Sequence, residues 1–188
     1  MVDEKSLTAS EVAELRERWM TAEGMKIKSA LLASLRAGKW DWPDFLVALP
    51  TVSVPAPYPE LLDDLRGLTL SREMLDGVSM SHSDLSYSVF EECSLKKASF
   101  QMGRLIWANL TGSQLHKADL LQVVADHSVF DGCTLTGAMM LSGEYRHSSF
   151  RGADLRQSVL NGCRFVGADL SGALFQSAEA HNLDIETL

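Results

Sequence analysis

The chain has 188 residues, 46% of them hydrophobic, and a formal net charge of −8 at pH 7 that divides evenly between residues 1–64 and 65–188. An acidic total argues against non-specific nucleic-acid binding, which needs a clustered basic surface. The charged start at residues 1–5 and the lack of an apolar run of ~18 residues predict neither a signal peptide nor a membrane span, so we expect a cytoplasmic protein.

The first part of the chain has helix signals. Thr8 followed by Glu11 resembles a capping box and opens an apolar-periodic run that ends near Gly24. A second apolar run stops at Gly38, a favourable residue just after a helix. A third, short helix is expected after Asp41. These signals predict a small α-helical region at the N-terminus.

Three prolines within five residues, Pro55, Pro57 and Pro59, disfavour regular structure and indicate a linker. The predicted organisation is therefore a helical N-terminal region at 1–49, a proline-rich linker at 50–64 and a repeat domain at 65–188.

From Leu65 to Ile185, every fifth residue is apolar, and Leu and Phe fill most of these central positions. From Val78 to Ala178, the residue two places before each central position is almost always Ala, Ser, Cys or Gly. Most of the 13 glycines lie two places after a central position. A period of five fits neither a helix nor a strand, so it indicates a coil that turns a corner every five residues and points the central side chain inward. The predicted core contains Leu85, Phe90, Leu95, Phe100, Leu105, Leu110, Leu115, Leu120, Phe130, Leu135, Phe150, Leu155, Leu160, Phe165 and Leu170.

The units at 108–112, 118–120, 153–157 and 168–172 begin Ala-Asn-Leu or Ala-Asp-Leu and resemble the A(D/N)LXX motif of the pentapeptide-repeat family. The resemblance implies a mainly β fold, a right-handed quadrilateral β-helix with four five-residue sides in each 20-residue coil and about six coils in all. Residues 20 apart then stack directly, and each side can be named after one of its central residues.

The pattern has one fault. Ala125 replaces a large central residue and Val123 a small one, and one coil later Tyr145 is the only Tyr at a central position. Because protein interiors tolerate few voids, we expect Val123 and Tyr145 to fill the volume that Ala125 leaves.

Catalytic patterns are weak. His82 and Asp84 have no converging nucleophile in this fold. Cys93, Cys133 and Cys163 occupy small inward positions, which predicts neither a disulfide nor a metal site. We therefore expect no enzyme activity, no cofactor and no metal.

The outer surface carries the functional hypothesis. On the Leu105 side, the column two residues after the centre contains four ring-bearing residues in successive coils, and apolar residues lie on and beside it. Either the N-terminal helices fold back over this strip, which their tethering favours, or a partner or second copy docks there. The predicted interaction surface comprises Tyr87, Met102, Ile106, Trp107, Leu121, His127, Leu141 and His147.

We interpret the chain as a non-catalytic protein–protein interaction module with no nucleic-acid or membrane partner. The alternative implied by the family resemblance is protection or inhibition of a type II topoisomerase, DNA gyrase, by DNA mimicry. Ten basic residues in the repeat domain and the absence of interrupting loops weigh against mimicry. Enzyme regulation, or an adaptor role in a secretion or toxin–immunity system, is a third reading. An uncapped end of the solenoid favours a homodimer through its C-terminal end.

Overall fold

The computed structural model describes residues 6–54, 56 and 61–185. The prolines that predict the linker, Pro55, Pro57 and Pro59, lie outside the described residues. The elements in chain order are α1 (Ala9–Glu17), α2 (Ala22–Arg36), α3 (Pro43–Leu46), β1 (Asp63–Asp64), β2 (Thr69–Ser71), β3 (Ser83–Asp84) and β4 (Val89–Glu91).

The helices begin where capping chemistry places them. The Thr8 side chain accepts a hydrogen bond from the Glu11 backbone N–H, and the Glu11 carboxylate accepts one from the Thr8 N–H, which completes the predicted capping box. Thr21 caps α2 by accepting from the Gly24 N–H. The first helix therefore ends at Glu17 and not near Gly24, because a second N-cap starts a new helix between them.

The rest of the described chain is a parallel β-helix solenoid with a 20-residue repeat. Strands β1 and β2 pair in parallel with β3 and β4, and single parallel bridges continue the same register to Arg164 and Asp184. Each wall is held by backbone bonds between coils, such as Leu110 N–H to the Val129 carbonyl at 2.8 Å. Pairing begins at Asp63, so the last two residues of the predicted 50–64 linker lie in the first coil.

The central side chains fill the interior. The predicted core residues from Leu85 to Phe165 are at most 1% exposed. Leu170 is half-buried, because it lies at the end of the described solenoid where fewer residues cover it. Small polar residues inside donate to inward carbonyl groups: the Cys133 thiol reaches the Leu110 oxygen at 3.0 Å and Cys163 reaches Met140 at 2.8 Å. Burial raises the pKa of Cys133 to about 12, so this thiol stays protonated and unreactive.

Each corner needs a left-handed residue two places after the centre. Glycines fill many of these corners, and larger residues such as Trp107 (φ 58°) and His127 (φ 59°) adopt the same conformation. Before the centre, Asn109 accepts from the Thr111 N–H at 3.0 Å, and Asp119 accepts from the Leu121 N–H at 3.1 Å. This short Asx turn explains the Asp or Asn of the repeat motif.

Tyr145 points into the interior and is fully buried. Its ring stacks on Phe165, with centroids 5.3 Å apart, and meets the Phe130 ring edge-on at 6.0 Å. A Cβ atom at Gly143 would lie 2.4 Å from the ring. The ring therefore packs among phenylalanine rings and requires glycine at position 143. That Val123 and Tyr145 fill the volume beside Ala125 stays a prediction.

The Tyr145 hydroxyl is buried and has no hydrogen-bond partner among the described residues. A buried unpaired polar group costs ~1–3 kcal/mol. We expect Tyr145→Phe to keep the packing, remove this cost and raise the free energy of unfolding by ~1 kcal/mol or more. Urea denaturation of both proteins measures the change. Tyr145→Leu is the matched control, since it also removes the hydroxyl but loses the ring stacking; a destabilised Tyr145→Phe would contradict the assignment.

The helices cap the first coil of the solenoid. Trp19, Leu31 and Trp42 are buried and join the hydrophobic core cluster that includes Leu65 and Leu70. The Trp19 indole N–H donates to the Arg66 carbonyl at 2.9 Å. This end of the apolar interior is thereby closed by the chain's own N-terminal region.

A buried ionic cluster fixes the cap. Asp64 accepts hydrogen bonds from Arg18 at 2.8 Å and from Arg66 at 2.9 Å, and both guanidinium groups are almost fully buried. Burial alone would raise the pKa of Asp64, but the hydrogen bonds and charges of Arg66 and Arg18 outweigh it and hold the pKa far below its ordinary value. The carboxylate therefore joins the helical region to the first coil.

This shift predicts acid sensitivity of the cap. Because the folded-state pKa of Asp64 is depressed, its stabilising contribution is fully present above its unfolded pKa of ~3.9 and is lost as the pH falls toward the folded value. We expect the wild-type urea midpoint to fall more steeply below pH 4 than that of Asp64→Asn. The exposed Asp44→Asn variant is the control and should follow the wild type; equal slopes for all three proteins would refute the role of Asp64.

Candidate functional site

Three aromatic rings stack along the outside of the Leu105 side. The Trp107 and His127 rings are 4.3 Å apart and 4° from parallel, and the His127 and His147 rings are 5.0 Å apart and 16° from parallel. Each residue occupies a left-handed corner, and the 20-residue register places the corners above one another. We call Trp107, His127 and His147 the ring column.

The column that contains these rings continues to Tyr87 and Gly67 on one side and to Gly167 on the other. At Gly67, a Cβ atom would lie 2.6 Å from the Leu15 carbonyl oxygen, so α1 packs tightly against this corner. At Gly167, a Cβ atom would lie 2.5 Å from His147 Nδ1, so the imidazole covers this corner. Tyr87, predicted to be the first ring of the column, accepts a hydrogen bond from the Leu7 N–H at 3.1 Å and therefore contacts the N-terminal region.

The charges beside the ring column are mutually compensated. Arg146 pairs with Asp126 at 3.0 Å and also contacts Glu144, which pairs with Arg164 at 3.0 Å. Burial and the neighbouring His147 lower the pKa of His127 against the opposing effect of Asp126. At pH 7 the middle ring of the column is therefore a neutral imidazole with an apolar face.

An apolar surface lies on the neighbouring Leu120 side. Met102 is 42% exposed, and Leu121 and Leu141 are half-buried. Sequence reasoning missed Met139, 43% exposed, and the half-buried Val159. Both precede a central residue, and reading that column at 20-residue spacing would have found them.

Ile106 differs from the other predicted surface residues. It is only 7% exposed and belongs to the buried part of the wall. The exposed apolar surface therefore consists of Trp107 and Met102, at the two corners that bound the Leu105 side, and of the outward residues of the Leu120 side.

Of the two readings of this strip, cover by the N-terminal helices holds for Tyr87, whose carbonyl accepts from Arg16 of α1, but not for Trp107 and Met102. The helices pack on the first coil, and Trp107 and Met102 keep 38% and 42% of their surface exposed. Trp19 and Trp42 are buried in the cap, whereas Trp40 is 67% exposed.

The Leu115 side of the solenoid carries exposed basic residues. On the Leu115 side, the basic residues Lys96, Lys97 and Lys117 are exposed, and Arg156 pairs with Asp154 at 2.7 Å. Within the described ranges, no group of three His, Cys, Asp or Glu side chains could hold a metal ion. No described helix is long and apolar enough to cross a bilayer.

Comparison with protein families identifies the repeat. The family model for pentapeptide repeats matches residues 75–112, 104–140 and 146–180 in eight copies, which is more than half of the chain. The chain belongs to the pentapeptide-repeat family, and this confirms the resemblance seen in the A(D/N)LXX units. A search of curated proteins found no match.

Solved structures of pentapeptide-repeat proteins match the chain at low identity and low TM-score. A trypsin-treated variant of QnrB1, a plasmid-mediated fluoroquinolone resistance protein, is 18% identical over 62% of this chain and 72% of its own, with a TM-score of 0.43. A pentapeptide repeat protein from the Arabidopsis thaliana thylakoid lumen is 20% identical over 52% of this chain and 64% of its own, with a TM-score of 0.41. HetL from Nostoc sp. strain PCC 7120, involved in heterocyst differentiation regulation, is 18% identical over 62% and 86%, with a TM-score of 0.22.

Proposed function

We propose that the chain is a non-catalytic interaction module whose ring column and Leu120 side bind a protein partner. The observation that supports the proposal is the open strip: Met102, Trp107 and Met139 are each about 40% exposed, and the chain's own helices pack elsewhere. The proposal takes the solenoid as a right-handed, four-sided coil of about six turns, in which these side chains lie on two adjacent sides.

The chemistry of the strip suits protein recognition. Contiguous exposed apolar surface on a soluble protein commonly marks an interaction site, and Trp is enriched among the residues that dominate binding energy. The stacked rings of Trp107, His127 and His147 are held at fixed corners, so little side-chain entropy is lost when a partner covers them.

Site-specific crosslinking tests the proposal. A photoreactive amino acid is placed at Trp107 or at Leu141, and at the exposed Gln114 on the Leu115 side as the matched control. Irradiation of cells that express the protein should give discrete protein adducts from positions 107 and 141 and none from 114. Adducts of equal yield at all three positions, or none at any, would overturn the assignment of this surface.

Gyrase protection by DNA mimicry remains the alternative proposal for this family member. Imitation of duplex DNA requires rows of uncompensated acidic side chains, but several acidic groups here pair with arginines, as in Asp169 with Arg151 and Asp154 with Arg156. A supercoiling assay with purified gyrase, with and without a quinolone, decides this alternative: neither inhibition nor protection would remove it.

A homodimer through the C-terminal end is a further part of the proposal. Leu174, Phe175 and Ile185 in the last described coil are 49%, 38% and 43% exposed. Pairing of two such ends would bury them. Light scattering after size-exclusion chromatography should give twice the monomer mass, and Phe175→Glu should reduce it to the monomer mass; a monomeric wild type would exclude the dimer.

A further inference from the structure

The Leu120 side has no cationic side chain of the Lys or Arg type. Its outward positions, from Ser79 to Asn182, contain Ser, Gln, Asn, His, Met, Leu, Val, Gly, Asp and Glu. The three other sides carry the arginines and lysines of the solenoid, among them Arg104, Arg151 and Lys117. One complete side of the rod is therefore apolar, neutral or acidic.

Two carboxylates lie at the ends of the apolar part of this side. Asp119 bridges to Met139, Met139 to Val159 and Val159 to Glu179, so the four residues form one column in successive coils. Leu121 and Leu141 lie beside the column, on the other side of the centre. Three coil steps of ~4.8 Å place the two acidic residues ~14 Å apart.

These carboxylates differ from several acidic residues on the other sides. Asp126, Asp154 and Asp169 each form an ion pair with arginine, at 3.0, 2.7 and 2.5 Å. Within the described part of the chain, neither Asp119 nor Glu179 has an ion-pair partner; Asp119 accepts only the backbone N–H of Leu121. Negative charge at both ends of an apolar column is complementary to a segment that carries positive charge at both ends of an apolar stripe.

We propose that the Leu120 side binds an amphipathic helical segment of a partner that has Arg or Lys at both ends of its apolar stripe. At 3.6 residues per turn and 1.5 Å per residue, cationic residues on one face of a helix are about 11 positions (three turns, ~16 Å) apart, which long Arg or Lys side chains match to the ~14 Å between the carboxylates. Its apolar stripe contacts Leu121, Met139 and Leu141, and its cations meet Asp119 and Glu179. The inference rests on the proposed interaction function and adds the chemical class of the partner.

A designed peptide pair tests the charge arrangement. The probe is a fluorescently labelled helical peptide with Leu at helical spacing on one face and two Arg residues 11 positions, about three turns, apart on that face. The matched control peptide has Glu in place of both Arg residues. Fluorescence anisotropy with the full-length protein should show that the Arg peptide binds more tightly, and its affinity should fall as salt is raised because the end contacts are exposed ion pairs.

Protein variants locate the binding. The double variant Asp119→Asn with Glu179→Gln removes both charges, and the Asn side-chain oxygen can still accept the hydrogen bond from the Leu121 N–H. At low salt we expect this variant to lose about tenfold in affinity for the Arg peptide. Met139→Glu places a charge in the apolar column and should weaken both peptides. Gln114→Glu, an exposed substitution on the Leu115 side, is the control and should bind like the wild type. Unchanged thermal melting shows that each variant is folded.

The outcomes separate this inference from the proposed function. Equal binding of the Arg and Glu peptides, or an unchanged affinity of the double variant, overturns the cationic partner class. Self-association of the protein that Met139→Glu abolishes also overturns it, in favour of a second copy of this chain. In either case crosslinks from positions 107 and 141 would leave the interaction function standing, and their absence would remove both.

Discussion

Leu115→Asp should prevent the repeat domain from folding, and Leu115→Ala should cost ~2–5 kcal/mol in the free energy of unfolding. Leu115 is fully buried in the middle of the solenoid. Burial of such a side chain contributes ~1.5–3 kcal/mol, and truncation adds the cost of a cavity that the paired coils above and below cannot close. A buried carboxylate there would have no counter-charge among the inward side chains, which are apolar or small.

Circular dichroism and urea denaturation measure both variants. Gln114→Asp is the matched control, because residue 114 is the exposed neighbour of Leu115. Its substitution should leave the free energy of unfolding within ~0.5 kcal/mol of the wild-type value. A Leu115→Asp protein that melts like the wild type would mean that position 115 does not face the interior, and the five-residue register would be wrong.

The interior of the solenoid is predictable from the sequence because its register is local. Each five-residue unit contains its own small residue, centre and corner, so the burial of Phe150 follows from its phase in the repeat. The inward direction of Tyr145 follows from the same register, since residue 145 is a central position.

The placement of the helices could not be predicted in the same way. The amphipathic pattern shows that α2 buries one face, but not which surface covers that face. The answer depends on contacts distant in sequence: the Trp19 indole bonded to the Arg66 carbonyl, and Arg18 paired with Asp64. Tethering alone favours any apolar surface within reach, and it does not distinguish the end of the core from the strip beside Trp107.

For a similar reason, only part of the candidate site could be predicted from the sequence. The 20-residue spacing of Trp107, His127 and His147 predicts that they lie above one another in one column. In the structure their rings stack face to face. Whether a residue beside the column is exposed depends on the packing of neighbouring side chains, which leaves Ile106 buried and Met139 open. Spacing assigns a residue to a side of the rod, whereas its exposure is a property of the folded surface.

Gly67→Ala should detach the helical cap from the solenoid. The residue has φ +72°, and an added Cβ would lie 2.6 Å from the Leu15 carbonyl oxygen and 2.7 Å from its carbonyl carbon. These are backbone atoms of α1, so the contact cannot be relieved by a side-chain rotation; the helix itself must move. Movement of α1 would also separate Trp19 and Arg18 from their partners at Arg66 and Asp64.

Gly77→Ala is the matched control, because Gly77 has φ +70° and no heavy atom within 4 Å of its added Cβ. Both variants carry the strain of a left-handed alanine, ~1–2 kcal/mol, and only Gly67→Ala adds an overpacking cost of ~1–3 kcal/mol. Limited proteolysis should therefore cut within residues 6–54 much faster in Gly67→Ala than in Gly77→Ala, while the repeat domain resists in both. Equal cleavage rates would show that α1 does not hold against this corner, and the first coil would then need another cover for its exposed apolar end.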